Sequence, residues 1–369
     1  MKKIKALVVD DSAFMRKVIS DMLNSDNDIE VIGTAKDGLE AVELTQKLNP
    51  DVITMDVEMP RMGGLEAVKR IMEIKPTPIL MLSALTKKGS KETFEALEYG
   101  AVDFIQKPSG TISLDIRKLG DELINRVKSV SRTYVRRKVA PKKHEKIIEK
   151  QNIGKTNEKP IKPEIKLPTE KLKNTAIIIG SSTGGPPIVS EIIVNLPKNM
   201  PPVFVVQHMP KGFTKMFADR MNSEATLNVK EAQNGEIVKS GYVYVAPGDC
   251  QMILKKRGKD ICIELDDQMP KVHGTKPSVD VTAEYISRIY GKNTVGVILS
   301  GIGRDGAYGF KLIKEKGGKI IAQNKDTCVV FGMPKAVIEM NIADVILPPS
   351  KIPETIIMFV KTIIGDENG

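Results

Sequence analysis

Two long blocks of the chain alternate short apolar runs with amphipathic stretches. Residues 1–125 contain five apolar runs, separated by stretches with apolar residues at helical spacing; the runs cover residues 6–9, 31–34, 52–55, 79–82 and 102–105. The same alternation begins again at Thr175 and continues to about Ile364. Strands that alternate with helices form parallel sheets with helices on both faces. The sequence therefore predicts two doubly wound α/β domains.

The segment between these blocks has a different composition. Residues 131–173 hold 14 Lys or Arg against five Asp or Glu, which accounts for nine of the ten net positive charges of the chain. The segment also contains several prolines and few large apolar residues, and this composition is typical of an extended, solvated linker. We therefore expect a first domain over 1–125, a basic flexible linker over 126–173 and a second domain over 174–366.

Cysteine content and hydropathy indicate in which cellular compartment the protein is expected. Cys250, Cys262 and Cys328 are odd in number and lack C-x-x-C spacing, so we expect neither a disulfide framework nor a zinc site. The N-terminal residues lack the apolar core of a signal peptide, and no apolar run approaches the ~20 residues of a membrane span. We expect a cytoplasmic protein.

In the first block, polar residues follow the apolar runs at the positions where strands should end: Asp10, Asp11, Asp56, Ser83 and Lys107. Such positions meet at the carboxyl edge of a parallel sheet. Carboxylates brought together repel one another, and a hard cation such as Mg²⁺ relieves the repulsion. One aspartate could then attack a phosphoryl group and hold it as an acyl phosphate. The alternative is that these aspartates only cap strand ends.

The same residues carry a family resemblance. Asp10-Asp11, Asp56 followed by Met-Pro-Arg-Met-Gly-Gly at 59–64, Ser83-Ala84 and Lys107-Pro108 closely resemble the response-regulator receiver family across 1–125. The resemblance implies a flavodoxin-like fold and phosphorylation of Asp56. It also implies Mg²⁺ held by Asp10, Asp11 and Asp56, with Ser83 and Lys107 at the phosphoryl group. Phe104 stands where the family often has a switching aromatic, and a core role is its alternative.

The second block contains the motif Ala-Ile-Ile-Ile-Gly-Ser-Ser-Thr-Gly-Gly-Pro-Pro at 176–187. An apolar run enters a turn of small residues, and apolar residues at helical spacing follow it. A hydroxyl on such a turn lies where helix N-terminal amides can meet a developing negative charge. Residues 180–184 also fit the G-x-S-x-G nucleophile pattern, with Ser182 at its centre. The alternative is a turn that binds a phosphate or only caps a helix.

A serine nucleophile needs a base, and the chain has three histidines. His208 follows the apolar run 203–207 and should lie at the same sheet edge as Ser182, so we prefer it. His144 lies in the basic segment, and for His273, in a loop before a helix predicted near Ser278, we favour a structural role.

A carboxylate should orient that base. Asp305 lies on a glycine-rich turn after the apolar run 295–299. Its alternative role is to cap the helix predicted near Ala307. The resulting order, Ser182, His208 and Asp305, differs from the Ser…Asp…His order of α/β-hydrolases, so the serine motif does not establish that fold.

Together, five motifs resemble the chemotaxis protein-glutamate methylesterase (CheB) family, and they cover 179–185, 206–210, 277–280, 300–306 and 328–334. The resemblance implies hydrolysis of γ-glutamyl methyl esters on chemoreceptor cytoplasmic domains and deamidation of certain receptor glutamines. It makes Ser182 the nucleophile, His208 the base and Asp305 its partner, and it places Thr183 and Ile302 at the oxyanion site. The family commonly has Met where this chain has Ile302. It implies no cofactor for the esterase step.

The resemblance also implies control by phosphorylation from a chemotaxis histidine kinase, and contact with membranes only through the receptors. One alternative is a receiver fused to a non-catalytic ligand-binding or interaction domain. A DNA-binding regulator is disfavoured, because residues 174–369 are nearly neutral and show no terminal helix-turn-helix pattern. We therefore expect no nucleic-acid partner.

Overall fold

The computed structural model describes residues 2–107, 115–133 and 169–365. The chain divides into two compact units, each built on its own parallel sheet. Within the described residues, no helix is both long enough and apolar enough to cross a membrane. His144 and most of the basic segment lie outside the described residues.

Five strands alternate with helices in the first part of the chain. The elements are β1 Ile4–Val9, α1 Ala13–Asn24, β2 Ile29–Ala35, α2 Gly38–Leu48, β3 Val52–Asp56, α3 Gly64–Ile74, β4 Ile79–Ser83, α4 Lys87–Tyr99, β5 Asp103–Gln106 and α5 Asp115–Val130. The sheet order is β2-β1-β3-β4-β5, and every pair is parallel. This is the flavodoxin-like order, which confirms the predicted doubly wound fold.

The described part of the chain from residue 169 onward contains nine strands. Its elements are α6 Thr169–Leu172, β6 Ala176–Ser181, α7 Gly185–Asn195, β7 Val203–Gln207, α8 Phe213–Glu224, β8 Asn228–Glu231, β9 Tyr242–Val245, β10 Gln251–Arg257, β11 Asp260–Asp266, α9 Val279–Tyr290, β12 Thr294–Ile298, α10 Ala307–Glu315, β13 Lys319–Gln323, α11 Met333–Glu339, β14 Val345–Leu347 and α12 Ile352–Gly365. Seven strands form a parallel sheet in the order β14-β13-β12-β6-β7-β9-β8.

The predicted strand–helix alternation fails between residues 228 and 266. Four strands follow one another there without a helix, and β10 and β11 form a separate antiparallel hairpin. Gly258, with φ +63°, lies in the tight connection of this hairpin. The outer half of β10, residues 255–257, is exposed and basic, and such a strand belongs to a small sheet at the surface.

The central strands of the second sheet determine where the candidate site lies. Every residue of β6, β7 and β12 is buried, as expected for continuous apolar runs covered by helices on both faces. Because β6 lies between β12 and β7, the carboxyl ends of these three strands are neighbours at one edge. The chain leaves β6 toward β7 on one side and later returns to β12 on the other, and ligands bind at such a switch point.

Candidate active site

Ser182 and His208 lie side by side at this edge. Ser182 directly follows β6, and His208 directly follows β7. The last paired residues of the two strands are Ser181 and Gln207, and the His208 amide donates to the Ser181 carbonyl at 3.0 Å. Ser182 is 3% exposed, and the His208 side chain is 6% exposed. The structure thus brings together the serine and the histidine that the sequence favours.

The His208 ring contacts Asp305, which follows β12. The distance from His208 Nε2 to Asp305 Oδ2 is 2.7 Å. Asp305 is 1% exposed, and its carboxylate accepts three further hydrogen bonds: from Ser278 Oγ at 2.7 Å, Val279 N at 2.8 Å and Asp280 N at 3.0 Å. Burial alone would raise the pKa of Asp305, but its bonds to His208 and the other donors outweigh burial and lower the pKa. The carboxylate is therefore ionised at neutral pH.

Asp305 lies at the N-terminus of α9. The amides of Val279 and Asp280, the first two residues of that helix, both donate to it. The alternative that Asp305 caps α10 is wrong, because the N-cap of α10 is Gly306, and the Gly309 amide in its first turn donates to Asp280 Oδ1 at 2.8 Å rather than to Asp305. Helix N-termini stabilise negative charge, so α9 helps to keep Asp305 ionised.

The contacts of His208 fix its neutral tautomer. An ionised carboxylate only accepts hydrogen bonds, so Nε2 must carry the proton that faces Asp305. Thr275 Oγ1 lies 3.4 Å from the same nitrogen and donates its own proton to the Val272 carbonyl at 3.0 Å. Both neighbours of Nε2 thus accept from it, so in the neutral imidazole the proton lies on Nε2 and Nδ1 carries the lone pair.

The turn after Ser182 differs in one respect from the sequence expectation. The Gly185 amide, the first of α7, donates to the Ser182 carbonyl at 2.9 Å. The next two residues are Pro186 and Pro187, which have no N–H. The first turn of α7 therefore cannot supply the expected amides for a negative charge at Ser182.

Two other residues near Ser182 were expected at the oxyanion site. Thr183 is fully buried, and its carbonyl accepts from Ser300 Oγ at 2.8 Å. Ile302 lies on the loop after β12 and is partly buried, and within the described residues its N–H donates no hydrogen bond. This loop packs directly on the serine, because a Cβ added to Gly301 would lie 2.8 Å from Ser182 Cβ.

His273 belongs to a separate pair. Its Nε2 lies 3.0 Å from Asp280 Oδ2, and its side chain is 39% exposed. Burial raises the pKa of Asp280, and the charge of Asp305 acts in the same direction. His273 contacts Asp280 rather than Asp305, as expected for a hydrogen-bonded structural histidine. His273, Asp280 and Asp305 offer atoms within 4.8 Å of one another, but Asp305 is already satisfied by four donors.

The first unit gathers its polar residues at one sheet edge, as predicted. Ligand oxygens of Asp10, Asp11 and Asp56 lie within 4.8 Å of one another. Lys107 Nζ lies 2.7 Å from Asp10 Oδ2 and 2.7 Å from Asp56 Oδ2. Lys107 therefore contacts two of the three carboxylates. The set consists of oxygen donors with uncompensated negative charge, which fits Mg²⁺.

The electrostatics of this cluster support that fit. Burial raises the pKa of Asp56 to about 6, against the lowering effect of Lys107, and the charge of Asp10 raises it further. Burial opposes the charge on Lys107, but the two carboxylates prevail and raise its pKa. A bound cation would remove the repulsion that disfavours the ionised Asp56.

The other two residues predicted for the receiver edge are also buried. Ser83 ends β4 and is fully buried, and its carbonyl accepts from the Lys107 amide at 2.8 Å. Phe104 lies within β5 and is 5% exposed, which fits a core position in this structure.

Sequence reasoning assigned no role to two residues that shape this site. Ser278 caps α9 and also donates to Asp305 Oδ1, and its Ser-Val-Asp context before a helix was a detectable signal for the cap. Gln207 ends an apolar strand and is 2% exposed. A polar residue at the end of a buried strand was the only signal for it.

The chain was compared with known protein families, curated proteins and solved structures. Residues 177–356 match the CheB methylesterase family, and residues 6–117 match the response regulator receiver domain. A protein-glutamate methylesterase/protein-glutamine glutaminase of Methanococcus maripaludis is 60% identical over 99% of this chain and 100% of its own length. That of Pyrococcus abyssi is 45% identical over 100% of this chain and 96% of its own.

Among solved structures, the Thermotoga maritima CheB methylesterase catalytic domain is 50% identical to this chain. It covers 50% of this chain and 97% of its own length, with a TM-score of 0.49. The full-length identity and the two family matches agree with the motifs described above. The chain belongs to the CheB protein-glutamate methylesterase family, with a response regulator receiver domain ahead of the methylesterase domain.

Proposed function

We propose that the protein hydrolyses γ-glutamyl methyl esters on the cytoplasmic domains of chemoreceptors and deamidates certain receptor glutamines to glutamate. The names of the relatives indicate both activities. The observation that carries the proposal is that Ser182 and His208 directly follow the adjacent strands β6 and β7, and that Asp305, on the loop after the neighbouring β12, is buried against His208 Nε2 at 2.7 Å.

Acylation begins at Ser182. Nδ1 of His208 takes the hydroxyl proton as Oγ attacks the ester carbonyl, which gives a tetrahedral oxyanion. Asp305 stabilises the positive imidazolium through the Nε2 bond. His208 then returns the proton to the leaving oxygen, so methanol departs and a glutamyl ester remains on Ser182. For a glutamine side chain the leaving group is ammonia.

Deacylation repeats the sequence with water. His208 Nδ1 accepts a proton from the water, whose oxygen attacks the acyl carbon. The second tetrahedral intermediate collapses, the proton returns to Ser182 Oγ, and glutamate is released.

The oxyanion needs donors that the first turn of α7 does not offer. We assign this role to the backbone amides of Thr183 and Ile302. The support for Ile302 is its unused N–H and the close packing of its loop on Ser182. A backbone donor does not depend on the side chain, so the replacement of the family's usual Met by Ile302 preserves it.

We propose that the receiver, over residues 1–125, controls a catalytic domain over 174–366 through the linker at 126–173. Both family matches lie inside these ranges, and α5 continues past residue 125 to Val130. Asp56 would accept a phosphoryl group from a chemotaxis histidine kinase. Asp10, Asp11 and Asp56 would hold Mg²⁺, whose positive charge supports phosphoryl transfer when bound. Ser83 and Lys107 would contact the phosphoryl group, and Phe104 would act as the switching aromatic.

Methanol release from receptor-containing membranes that carry radiolabelled methyl esters tests the enzymatic proposal. Wild-type protein should release methanol, and a serine-reactive phosphonate should stop the release while adding its mass to a peptide that contains Ser182. If the protein neither releases methanol nor reacts with the phosphonate, the non-catalytic alternative is favoured. Release with labelling of another serine would contradict the assigned nucleophile.

Replacing Asp56 by asparagine should abolish activation by a small-molecule phosphodonor. We expect wild-type methanol release to rise when the phosphodonor and Mg²⁺ are added, and the rate of Asp56→Asn to stay at its basal value. The asparagine keeps the side-chain shape but cannot form an acyl phosphate. Asp51→Asn is the matched control, because Asp51 precedes β3 and its carboxylate accepts from the Lys5 amide at 2.8 Å instead. Activation of Asp56→Asn equal to wild type would sink this idea.

A further inference from the structure

Gln207 is a buried glutamine whose side chain contacts the backbone of both reacting residues. Its Oε1 accepts from Ser181 Oγ at 2.5 Å, and its Nε2 donates to the carbonyl of Ser182 at 3.0 Å and to that of His208 at 3.2 Å. Both amide protons and the amide oxygen are therefore engaged. One side chain thus binds the backbone of both Ser182 and His208.

The position of this amide is set by the end of the β-ladder. Regular pairing of β6 with β7 stops at Ser181 and Gln207, followed by the bond from the His208 amide to the Ser181 carbonyl at 3.0 Å. In the described parts of the chain, no backbone hydrogen bond joins Ser182 directly to His208. The Gln207 amide supplies the next connection, one residue beyond the last backbone pair.

The packing around the amide leaves it little freedom. A Cβ added to Gly185 would lie 2.7 Å from Gln207 Oε1 and 2.7 Å from Ser181 Cβ. These distances are shorter than real Cβ contacts, so the amide, the serine turn and the first residue of α7 are in close contact. Because interiors are packed as densely as crystals, the amide cannot move without moving this turn.

We propose that Gln207 is a positioning residue, which fixes the spacing between Ser182 and His208 by holding the two backbone carbonyls together. This inference rests on the proposed function. Gln207 acts through Ser182 and His208 rather than on the substrate, since its polar atoms bind protein groups. Catalytic groups must be held within about 0.5 Å of the productive geometry, and a misplacement of about 1 Å can lower the rate about 100-fold.

The test is the variant Gln207→Met, which keeps the length of the side chain and removes the amide. We expect kcat for methanol release to fall about 10- to 100-fold, with KM within about twofold of wild type. The rate constant for phosphonate labelling of Ser182 should fall by the same factor, because that reaction also needs the serine activated by His208. A purely structural role would not slow both reactions in a protein that stays folded.

Thr282→Val is the matched control for loss of a buried polar group. Thr282 is fully buried, and its hydroxyl donates to the Met252 carbonyl at 2.8 Å, away from Ser182 and His208. Removing this bond should lower the thermal midpoint and leave kcat unchanged. Gln207→Met should resemble this control in stability and differ from it in kcat.

Two results would overturn the positioning role. The first is a folded Gln207→Met protein with wild-type kcat and labelling rate, and the second is a raised KM with unchanged kcat. If the Met variant does not fold, Gln207→Glu keeps the shape and loses the N–H donors, and the same loss of kcat is expected. Should wild-type protein release no methanol, the proposed function fails, and the labelling rates of the two proteins still decide the role of Gln207.

Discussion

Replacing Asp305 by asparagine is expected to lower kcat for methyl ester hydrolysis about 10⁴-fold, with KM little changed. In the wild-type protein the carboxylate accepts the Nε2 proton of His208 and leaves Nδ1 as the base. An asparagine amide can instead donate to Nε2, which places the ring proton on Nδ1 and removes the base. The loss also removes the negative charge that stabilises the imidazolium in the transition state.

The asparagine has a structural cost that must be measured separately. Asp305 Oδ1 accepts from Asp280 N and Oδ2 accepts from Val279 N, so either orientation of the new amide directs its NH₂ at a backbone N–H. Circular dichroism and the thermal midpoint should show a folded but less stable protein. Asp326→Asn, at an exposed aspartate, controls for the loss of one charge. If kcat for folded Asp305→Asn stays within about tenfold of wild type, Asp305 does not have the role assigned to it.

Ser182→Ala should reduce methanol release by about 10⁴- to 10⁶-fold, to the level that binding and oxyanion donors alone support. The change deletes one oxygen from a residue that is 3% exposed, so the fold should remain. Covalent labelling by the phosphonate should disappear at the same time. The measurement is radiolabelled methanol release from methylated receptor membranes, compared at equal concentrations of folded protein.

Ser240→Ala provides the control for this substitution. The Ser240 hydroxyl is buried and makes no hydrogen bond within the described residues, so its removal should leave release and labelling as in wild type. Equal methanol release by Ser182→Ala and wild type would mean that Ser182 only shapes the turn. In that case another group in the chain must attack the ester.

The fold could be predicted well wherever an element carried its own pattern. The runs at 52–55 and 79–82 are apolar throughout because both sheet faces are covered, and they correspond to β3 and β4. The stretch at 228–266 could not be read in this way. Only β10 and β11 pair across a turn, at Gly258, whereas β8 and β9 pair in parallel, and the short runs of all four do not differ from the strands of a strand–helix unit.

The site residues also fall into those that the sequence could place and those that it could not. Ser182 and His208 were placed correctly because the ends of parallel strands meet at one edge, which is a property of topology alone. The structure brings Asp305 to His208 as expected, but the alternative that Asp305 caps α10 was wrong for a local reason. Capping is usually a contact with the next few residues, whereas Asp305 binds amides 25 and 26 positions earlier in the chain. Such a contact depends on tertiary packing, and no spacing in the sequence reports it.

The three residues assigned to catalysis lie far apart in the sequence, so the ribosome adds them at different times. Asp305 is 97 positions beyond His208, and it follows β12, which joins the sheet beside β6. A nascent chain that ends before residue 294 contains Ser182 and His208 but lacks the Asp305 carboxylate that contacts the His208 ring. We therefore expect a ribosome-bound or truncated fragment of this kind to hydrolyse esters no faster than Asp305→Asn, until the last third of the hydrolase domain has been made and folded.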